Sequence, residues 1–445
     1  MDVPQKLAEI LPKLLGPVAD ELAVECGFTK RASKITGGAF AAALVGCWLS
    51  DADARLHEFS SLLAGNRVEV TPQAVDQRFS EAAVELFRRL LEVAVGEVVA
   101  ADRAPLALAD RFPAVVLFDC TQVALPEAFA EEFPGCGGGN TKPDRAATLK
   151  VSVGWELHSG ALCHLSVHPG RTHDRATLPP PESLAPGTLR LADLGYFSLS
   201  GLAELSAAQV HWLTRLQANT RIGYEGRWYT QTEFVAKYGP KHPGETARYS
   251  VRLGKTARLP AELLLERVPN KVAKQRRAAL MVKAERKHQK VSRERLQTAS
   301  FSILVTDLDE TRLTAREAFI LYHLRWRIEL LFRCWKSVAG LGRSRSRKPL
   351  RMLCELYAKL LVLVVQHWLM LTSGWRGENA SWHKAAEAVR IHGRSLMMLL
   401  DCPVGLLHLL RRIGRSLRSG CTVSRRRQKP STFQLLAMEL ATCLA

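Results

Sequence analysis

Three acidic residues lie in sequence contexts that suit chemistry on phosphate esters. Asp119 follows the apolar run Ala114–Phe118, which predicts a buried strand with a functional residue at its end. Asp193 follows a second short run, Leu189–Ala192, and Glu329 falls within a helical pattern. Carboxylates are hard oxygen ligands for Mg²⁺ and Mn²⁺. Two such ions about 4 Å apart can activate the attacking oxygen and stabilise the leaving one.

The helical pattern around Glu329 places other polar residues beside it. Thr314 to Glu317 matches a capping box, and the helix is expected to run to about Val338. At 100° per residue, a stripe about 60° wide would hold four polar residues, which are Tyr322, Arg325, Glu329 and Lys336. The opposite face is expected to dock on the sheet and contains Leu321, Leu324, Ile328, Leu331 and Trp335.

Two interpretations of this helix stay open. An ordinary amphipathic helix would carry a charged outer face that only contacts water. However, a solvated face usually mixes opposite charges in pairs, whereas this one has a single carboxylate, Glu329, among cations that include Arg327 and Arg333. A lone glutamate flanked by cations suits a metal ion held beside bound phosphate groups.

The remaining pattern predicts the elements that position these residues. Alternation over Leu149–Leu157, a turn at Ser159-Gly160 and a return strand from Ala161 to Val167 indicate a hairpin with a half-buried first strand. Further interrupted strands are expected at His211–Leu216, Ala247–Leu253, Leu263–Val268 and Phe301–Asp307. A basic helical stretch, Lys271–Lys290, lies between the last two; it is either a solvated face or a DNA-backbone contact.

Helical segments flank this middle part. Residues 1 to about 105 show helical spacing, and Leu360–Leu371 is expected to be a buried core helix. Arginines at helical spacing follow from Arg411 to Arg418, beside an apolar face. The C-terminal segment is either a disordered basic tail or a region that packs, on its own core or on a second subunit.

Composition favours a nucleic-acid partner. The 445 residues include 62 Lys and Arg against 43 Asp and Glu, a formal net charge of +19. Phosphate neutralisation by such cations supplies most sequence-independent DNA affinity. An anionic membrane surface is the alternative, but the basic residues are spread over several segments rather than gathered on one amphipathic helix. The ten cysteines include no Cys-x-x-Cys pair, which indicates buried thiols in a reducing cytoplasm.

The segments around the three acids resemble the DDE transposases of bacterial insertion sequences, in the group related to insertion sequence four. The residues Tyr322-x-x-Arg325-x-x-x-Glu329-x-x-x-x-x-x-Lys336 fit that group's Tyr-Arg-Glu-Lys signature without a gap. The segments Leu117–Thr121 and Leu191–Tyr196 resemble its two aspartate blocks. The resemblance extends over about residues 110 to 340 and is weak on either side.

The resemblance implies a fold, a reaction and roles for individual residues. It implies an α/β fold with a ribonuclease-H-like core in which Asp119, Asp193 and Glu329 hold two Mg²⁺ ions, for which Mn²⁺ can substitute. Tyr322, Arg325 and Lys336 would contact the phosphate backbone near the cleaved end, and Arg333, at the border of the polar stripe, is added to these DNA contacts. Relatives that form DNA hairpins hold a flipped base against an aromatic residue, for which Trp228 and Trp212 are candidates here.

We therefore predict a transposase with a core interrupted by a β-rich insertion and flanked by helical regions. The expected parts are a helical DNA-binding region (1–105), the first part of the core (106–210), the insertion with its basic helix (211–310), the core helix with the catalytic glutamate (311–345), and a basic helical region for dimerisation and DNA contact (346–445).

The expected partners follow from that function. They are double-stranded DNA, as terminal inverted repeats and target DNA, and a second copy of the chain when two ends are paired. No membrane association is expected, and the protein would act in the bacterial cytoplasm, on the nucleoid. Two alternatives stay open: a nuclease of the same fold that never joins DNA, and a non-catalytic DNA-binding protein derived from a transposase.

Overall fold

The computed structural model describes residues 2–103, 108–136, 147–286, 288–374 and 381–422. The chain divides into two compact units. Within the described residues, unit one is drawn from Met1–Ala104, Cys120–Thr172 and Arg327–Lys429, and unit two from Pro105–Asp119 and His173–Trp326. Each unit thus combines distant parts of the sequence. The five-part division expected from the sequence stays a prediction.

Unit one is built mainly of helices. Its N-terminal part contains α1 (Val3–Lys13), α2 (Ala19–Glu25), α3 (Gly37–Ser50), α4 (Leu56–Gly65), α5 (Pro72–Asp76) and α6 (Glu81–Gly96). Its C-terminal part contains α13 (Pro349–Leu371), α14 (Trp382–Arg390), α15 (Gly393–Met398) and α16 (Pro403–Gly420). The expectation of a helical N-terminal region is confirmed.

Helix α13 is the central element of unit one. It packs against α3, α6, α14 and α16. By length and composition it could cross a membrane, yet 94% of its most apolar window is buried inside the protein. Because its apolar surface is already covered by neighbouring helices, the predicted buried core helix at Leu360–Leu371 is confirmed.

The C-terminal arginines lie on α16, whose helical spacing is confirmed. The apolar face of α16 packs on α1, α13 and α14 of the same chain. Leu406, Leu410, Ile413 and Leu417 are buried there. Between the two expected forms of this segment, packing on its own core is therefore observed up to Gly420. The further apolar stretch from Phe433 lies outside the described residues.

A hairpin completes unit one. Strands β2 (Ala147–Glu156) and β3 (Leu162–Pro169) pair antiparallel, and the turn contains Gly160 with φ +70°. The hairpin was predicted, but the expectation of a half-buried first strand is wrong. Both faces of β2 are covered, and even Lys150 and Ser152 are buried. Lys150 avoids an unsatisfied charge by donating to the Thr172 carbonyl oxygen at 2.5 Å.

Unit two is built around strands. These are the first residues of β1 (Val115–Leu125), followed by β4 (Leu189–Ala192), β5 (His211–Arg215), β6 (Ile222–Tyr224), β7 (Arg227–Tyr229), β8 (Thr246–Leu253), β9 (Leu259–Arg267) and β10 (Phe301–Thr306). Its helices are α7 (Leu199–Ala207), α8 (Gln231–Tyr238), α9 (Asn270–Glu285), α10 (Arg293–Thr298) and α11 (Ala315–Leu324). The basic stretch predicted as helical is α9.

The sheet of unit two is mixed. Strands β1, β4 and β5 are parallel neighbours, and β10, β9, β8, β6 and β7 continue the order as antiparallel neighbours. The four predicted strands are all present. The short hairpin of β6 and β7 was not predicted; its turn uses Glu225 and Gly226, with φ of +47° and +73°. Helices packed with this mixed sheet make an α/β fold, as expected.

Candidate active site

The two aspartates emerge beside each other from paired strands. Strands β1 and β4 pair in parallel from Val115 opposite Leu189 to Phe118 opposite Ala192. All residues in these paired segments are buried. Asp119 and Asp193 come directly after the last pair and are only partly buried. The parallel register therefore delivers both carboxylates to the same end of the sheet.

One expectation about this site is wrong. Asp119 does not lie at the end of a strand, because β1 continues to Leu125. Pairing with β4 stops at Phe118. The following residues of β1 belong to unit one and remain in a strand, next to β2 in the sheet order β3-β2-β1. An apolar run in the sequence ends at Asp119, whereas hydrogen bonding by the backbone does not depend on side-chain polarity.

Arg325 joins the two aspartates. Its Nη1 lies 3.3 Å from Asp119 Oδ2, and its Nε lies 3.9 Å from Asp193 Oδ1. The Arg325 side chain is 12% exposed, against 19% for Asp119 and 38% for Asp193. The Arg325 guanidinium thus lies against two carboxylates at the edge of the solvent.

Tyr322 contacts the same group. Its hydroxyl lies 3.4 Å from Asp193 Oδ1 and 3.3 Å from the Ala192 carbonyl oxygen, and can donate to either. Burial, followed by the negative charge of Asp193, raises the pKa of Tyr322 well above its usual value. The hydroxyl therefore stays protonated at neutral pH and remains a hydrogen-bond donor.

The helix that was expected to run from Thr314 to about Val338 is divided at Arg325. Its start is confirmed, with the Thr314 and Glu317 capping box formed. The Arg325 N–H, however, bonds to the Tyr322 carbonyl oxygen, three residues back, at 3.2 Å. Such a bond tightens the last turn of a helix. Helix α12 (Trp326–Ser337) begins after this turn.

Because the helix is divided at Arg325, one set of helical angles does not describe its whole length. The predicted apolar face is confirmed, because Leu321, Leu324, Ile328, Leu331 and Trp335 are all buried. The angle of 100° per residue holds within α11 and within α12, but the tighter turn at Arg325 separates them. The polar stripe therefore consists of two parts, Tyr322 with Arg325 and Glu329 with Lys336.

Glu329, Arg333 and Lys336 belong to unit one. Glu329 is half-buried on α12, whereas Arg333 and Lys336 are exposed. Partial burial lowers the pKa of Lys336. Within the described residues, no group of three or more His, Cys, Asp or Glu side chains is gathered closely enough to hold a metal ion. The assignment of all three acids to one metal centre stays a prediction.

The chemistry of the two aspartates fits a divalent cation. Asp119 and Asp193 supply carboxylate oxygens, the donors that hard cations prefer. Both already lie against one positive group, Arg325. They are also partly exposed, so that an ion from solvent can reach them. A metal ion held here would take Asp119 and Asp193 from unit two.

Another acidic residue near Asp193 was not singled out from the sequence. The carboxylate of Asp174 lies against Gly195, so closely that a Cβ atom at position 195 would collide with it. Gly195 lies in the turn that follows Asp193. Gly195 was the signal that the sequence offered, but no local pattern relates it to Asp174, which lies much earlier in the chain.

The two candidate tryptophans have different environments. Trp212 is fully buried, and its Nε1 donates to Ser206 Oγ at 2.9 Å. It cannot stack on a base without unfolding its surroundings. Trp228 is half-buried on β7 and lines an open cavity of about 490 Å³ with Arg227, Tyr229 and Lys237.

Comparison with known proteins places this geometry in context. The family described as "Transposase DDE domain" matches residues 110–365. The transposase for insertion sequence element IS231F of Bacillus thuringiensis subsp. israelensis is 25% identical over 463 residues, covering 98% of this chain and 95% of the relative. The transposase for IS1151 of Clostridium perfringens is 23% identical over 322 residues, covering 68% and 67%. A putative transposase InsL of Escherichia coli K12 is 30% identical over 186 residues, covering 39% and 48%.

Proposed function

The chain belongs to the transposase DDE domain family, the DNA-transposing enzymes of insertion sequences, and we propose that it carries out cut-and-paste transposition of its own element. DNA binding and a need for divalent metal follow from membership of the family. The finer proposal is that the chain binds the element's ends, cuts the DNA there and joins the freed ends to target DNA. The observation that carries it is the pair Asp119 and Asp193 gathered around Arg325.

We assign the metal to Asp119, Asp193 and Glu329, with Mg²⁺ as the ion and Mn²⁺ as its substitute. Bound metal would activate the attacking oxygen and stabilise the leaving one. The core is proposed to be ribonuclease-H-like. Support comes from the parallel strands β1 and β4, which carry the two aspartates at one end of a mixed sheet.

The cations of the signature would hold DNA. Arg325 presents a guanidinium beside the carboxylates, and the protonated Tyr322 hydroxyl can donate to a phosphate oxygen. Arg333 and Lys336 are exposed on α12, where a strand of DNA can reach them. These four residues would position the backbone of the cleaved end, since guanidinium and ammonium groups bind phosphate oxygens strongly.

The proposed reaction includes a hairpin. Hydrolysis first frees a 3′-hydroxyl at the element's end. Its oxygen then attacks the phosphodiester of the opposite strand, forming a new P–O bond and releasing a 3′-hydroxyl on the flanking DNA. Water reopens the hairpin, and the recovered 3′-hydroxyl attacks target DNA. Trp228, with Arg227 and Lys237 along its cavity, is the residue we assign to hold the base displaced from the tight hairpin.

Strand transfer is the decisive test. Labelled DNA from either side of the coding region is incubated with the protein, Mg²⁺ and a target plasmid. Joined products are expected. Free ends without joining would indicate a nuclease of the same fold, and binding without cleavage would indicate a DNA-binding derivative. Ca²⁺ should allow binding with little cleavage because its looser coordination positions the reacting oxygens poorly. Cleavage in excess chelator would refute the metal assignment.

Pairing of two ends is expected to require two copies of the chain, because each end needs an active site. Since α16 packs within its own unit, the segment to remove in a test is the one after Thr422. Native gel shifts with labelled ends of two lengths would report the outcome. The full chain should form a complex of mixed length, and the shortened chain should form only single-end complexes. A mixed-length complex formed by the shortened chain would rule out a dimer role for that segment. Only single-end complexes from the full chain would refute the dimer.

A further inference from the structure

A basic segment of alternating residues joins α12 to α13 in unit one. We call it the serine–arginine segment, and it comprises Arg343, Ser344, Arg345, Ser346, Arg347 and Lys348. The three arginines and Lys348 are exposed, whereas the two serines are half-buried. The alternation therefore directs the cations outward and the hydroxyls toward the protein.

A buried ion pair fixes this segment. Glu355 and Lys359 of α13 contact each other at 2.8 Å with only 6% and 1% of their side chains exposed. Ser344 Oγ donates to Glu355 Oε2 at 2.6 Å, and Lys359 Nζ donates to the Arg343 carbonyl oxygen at 2.6 Å. Both members of the pair thus hold the start of the segment.

The serines continue the anchoring along the chain. The Ser346 N–H donates to Ser344 Oγ at 3.1 Å, and the Lys348 N–H donates to Ser346 Oγ at 3.1 Å. A disordered run of arginines would lose conformational entropy on binding a ligand. In this segment the backbone is already ordered, so that much of this cost has been met on folding.

The charges of the segment are only partly balanced. Arg343 lies 3.7 Å from Asp53, and Lys348 lies 2.7 Å from Asp76. Arg345 and Arg347 have no ion pair with any residue that the structure describes. Two guanidinium groups on a fixed backbone are therefore available to an external anion.

Other cations line two cavities that include residues at the start of α13. A cavity of about 350 Å³ is lined by Arg55, Arg345 and Arg351. A larger one, of about 820 Å³, is lined by Lys30 and Arg31, with Leu350 of α13 in its wall and Glu81 as its acidic residue. Among the described residues, Lys30, Arg31 and Arg55 form no ion pair.

We propose that these cations, none of which belongs to the Tyr-Arg-Glu-Lys signature, bind the phosphate backbone of duplex DNA. This basic surface consists of Lys30, Arg31, Arg55, Arg345 and Arg347. The choice of DNA as occupant rests on the proposed function, and the surface extends that function beyond the signature residues. Four of these cations line two cavities at the start of α13, and Arg347 extends from the segment that contains Arg345. Cations spread in this way suit a chain of phosphates better than a single small anion.

The salt dependence of DNA binding tests the proposal. Binding of a random-sequence duplex of about 40 base pairs is followed by fluorescence anisotropy over a range of salt concentrations. Two variants of the full chain each remove two cations, Lys30→Ala with Arg31→Ala, and Arg345→Ala with Arg347→Ala. Each should lower the slope of log Kd against log salt by about two units, because each lost phosphate contact contributes about one.

A matched control removes two exposed lysines outside both cavities, Lys13→Ala with Lys241→Ala. Its slope should equal that of the wild type. Circular dichroism melting of all variants checks that they fold. A wild-type slope in both test variants would overturn the proposal, as would an equal loss in the control, which would reflect net charge alone. Competition by polyglutamate that matched unlabelled duplex, charge for charge, would also overturn it by indicating an acidic protein partner.

The outcomes separate this proposal from the proposed function. Cleavage is measured on the same preparations at low salt with protein in excess, where all variants are bound. If the wild type failed to cleave or join DNA, the proposed function would be wrong, while the loss of salt slope could still be observed. If cleavage and joining were found but the slopes did not change, only the basic surface would be wrong.

Discussion

Each unit contains a group of carboxylates balanced by a cation, and the two groups differ in their exposure to solvent. In unit two, Arg325 contacts Asp119 and Asp193 at 3.3 and 3.9 Å, and the aspartates are 19% and 38% exposed. In unit one, Lys359 contacts Glu355 at 2.8 Å, and these side chains are 1% and 6% exposed. The first group can exchange partners with a ligand from solvent. The second is sealed by α13 and its neighbours.

The difference in exposure separates carboxylates that a ligand can reach from carboxylates that only stabilise the fold. An ion pair at the edge of solvent has a modest net energy, because water also stabilises the separated charges. A buried pair has no such alternative, and loss of one partner leaves an uncompensated charge in a medium of low polarity. A metal ion or a phosphate group can therefore compete for Asp119, Asp193 and Arg325. Glu355 is only 6% exposed, so that neither a metal ion nor a phosphate group can reach it from solvent.

The largest expected effect concerns the three proposed metal ligands. Asp119→Asn, Asp193→Asn and Glu329→Gln should each abolish cleavage, because an amide is a weaker ligand for a divalent cation than a carboxylate. DNA binding and the melting temperature should stay close to those of the wild type. Gel shift, cleavage and melting assays on the same preparation check this. A variant that cleaves at the wild-type rate would remove that residue from the site.

The buried pair of Glu355 and Lys359 should instead affect the stability of the fold. Glu355→Gln should lower the free energy of unfolding by about 3–5 kcal/mol, since it leaves Lys359 buried without a counter-charge. Urea unfolding followed by circular dichroism measures this. The double variant Glu355→Met with Lys359→Met should lie closer to the wild type because no charge remains buried. A loss below about 1 kcal/mol in the single variant would mean that water enters the site.

A second structural carboxylate gives a pH-dependent effect of intermediate size. Burial alone would raise the pKa of Glu156, but hydrogen bonds from His158 and Ser159 lower it to about 2. Because the folded pKa lies below the unfolded value of 4.5, the ionised group stabilises the fold above pH 4.5. That contribution, about 3 kcal/mol, is lost as the pH falls through the range between these values.

Comparison with Glu156→Gln checks whether ionised Glu156 stabilises the fold. The difference in free energy of unfolding between wild type and variant should be full at pH 6 and should shrink steadily below pH 4.5. Since the neutral amide keeps the shape of the side chain, the variant should show a flatter dependence on pH. A difference that did not change with pH would indicate that packing, and not charge, stabilises this turn.

The smallest expected effect concerns two cations of the signature that are proposed to hold DNA. Arg325→Ala and Lys336→Ala should each lower the salt slope of binding to the element's end by about one unit. Arg316→Ala, a charge change outside the signature, is the matched control. Unchanged slopes for both signature variants would indicate that these cations face solvent and do not contact DNA in the complex.

Local patterns in the sequence determined several features of this protein. The apolar runs before Asp119 and Asp193 predicted the paired strands, and the capping box at Thr314 predicted the start of α11. Apolar spacing also predicted the buried faces of α11 and α12. These features depend on neighbours along the chain, where propensity and periodicity act. Helical spacing could therefore indicate a polar stripe, while the resemblance to a family gave its residues their expected roles.

Tertiary contacts decided the rest. The burial of both faces of β2 and the burial of Trp212 depend on segments far away in the sequence. The serine–arginine segment resembles a disordered basic run in the sequence, because its order depends on Glu355 and Lys359. Periodicity shows which face of an element is apolar, but not what covers the other face. What covers that face depends on side chains from distant parts of the sequence, which pack against it and exclude water.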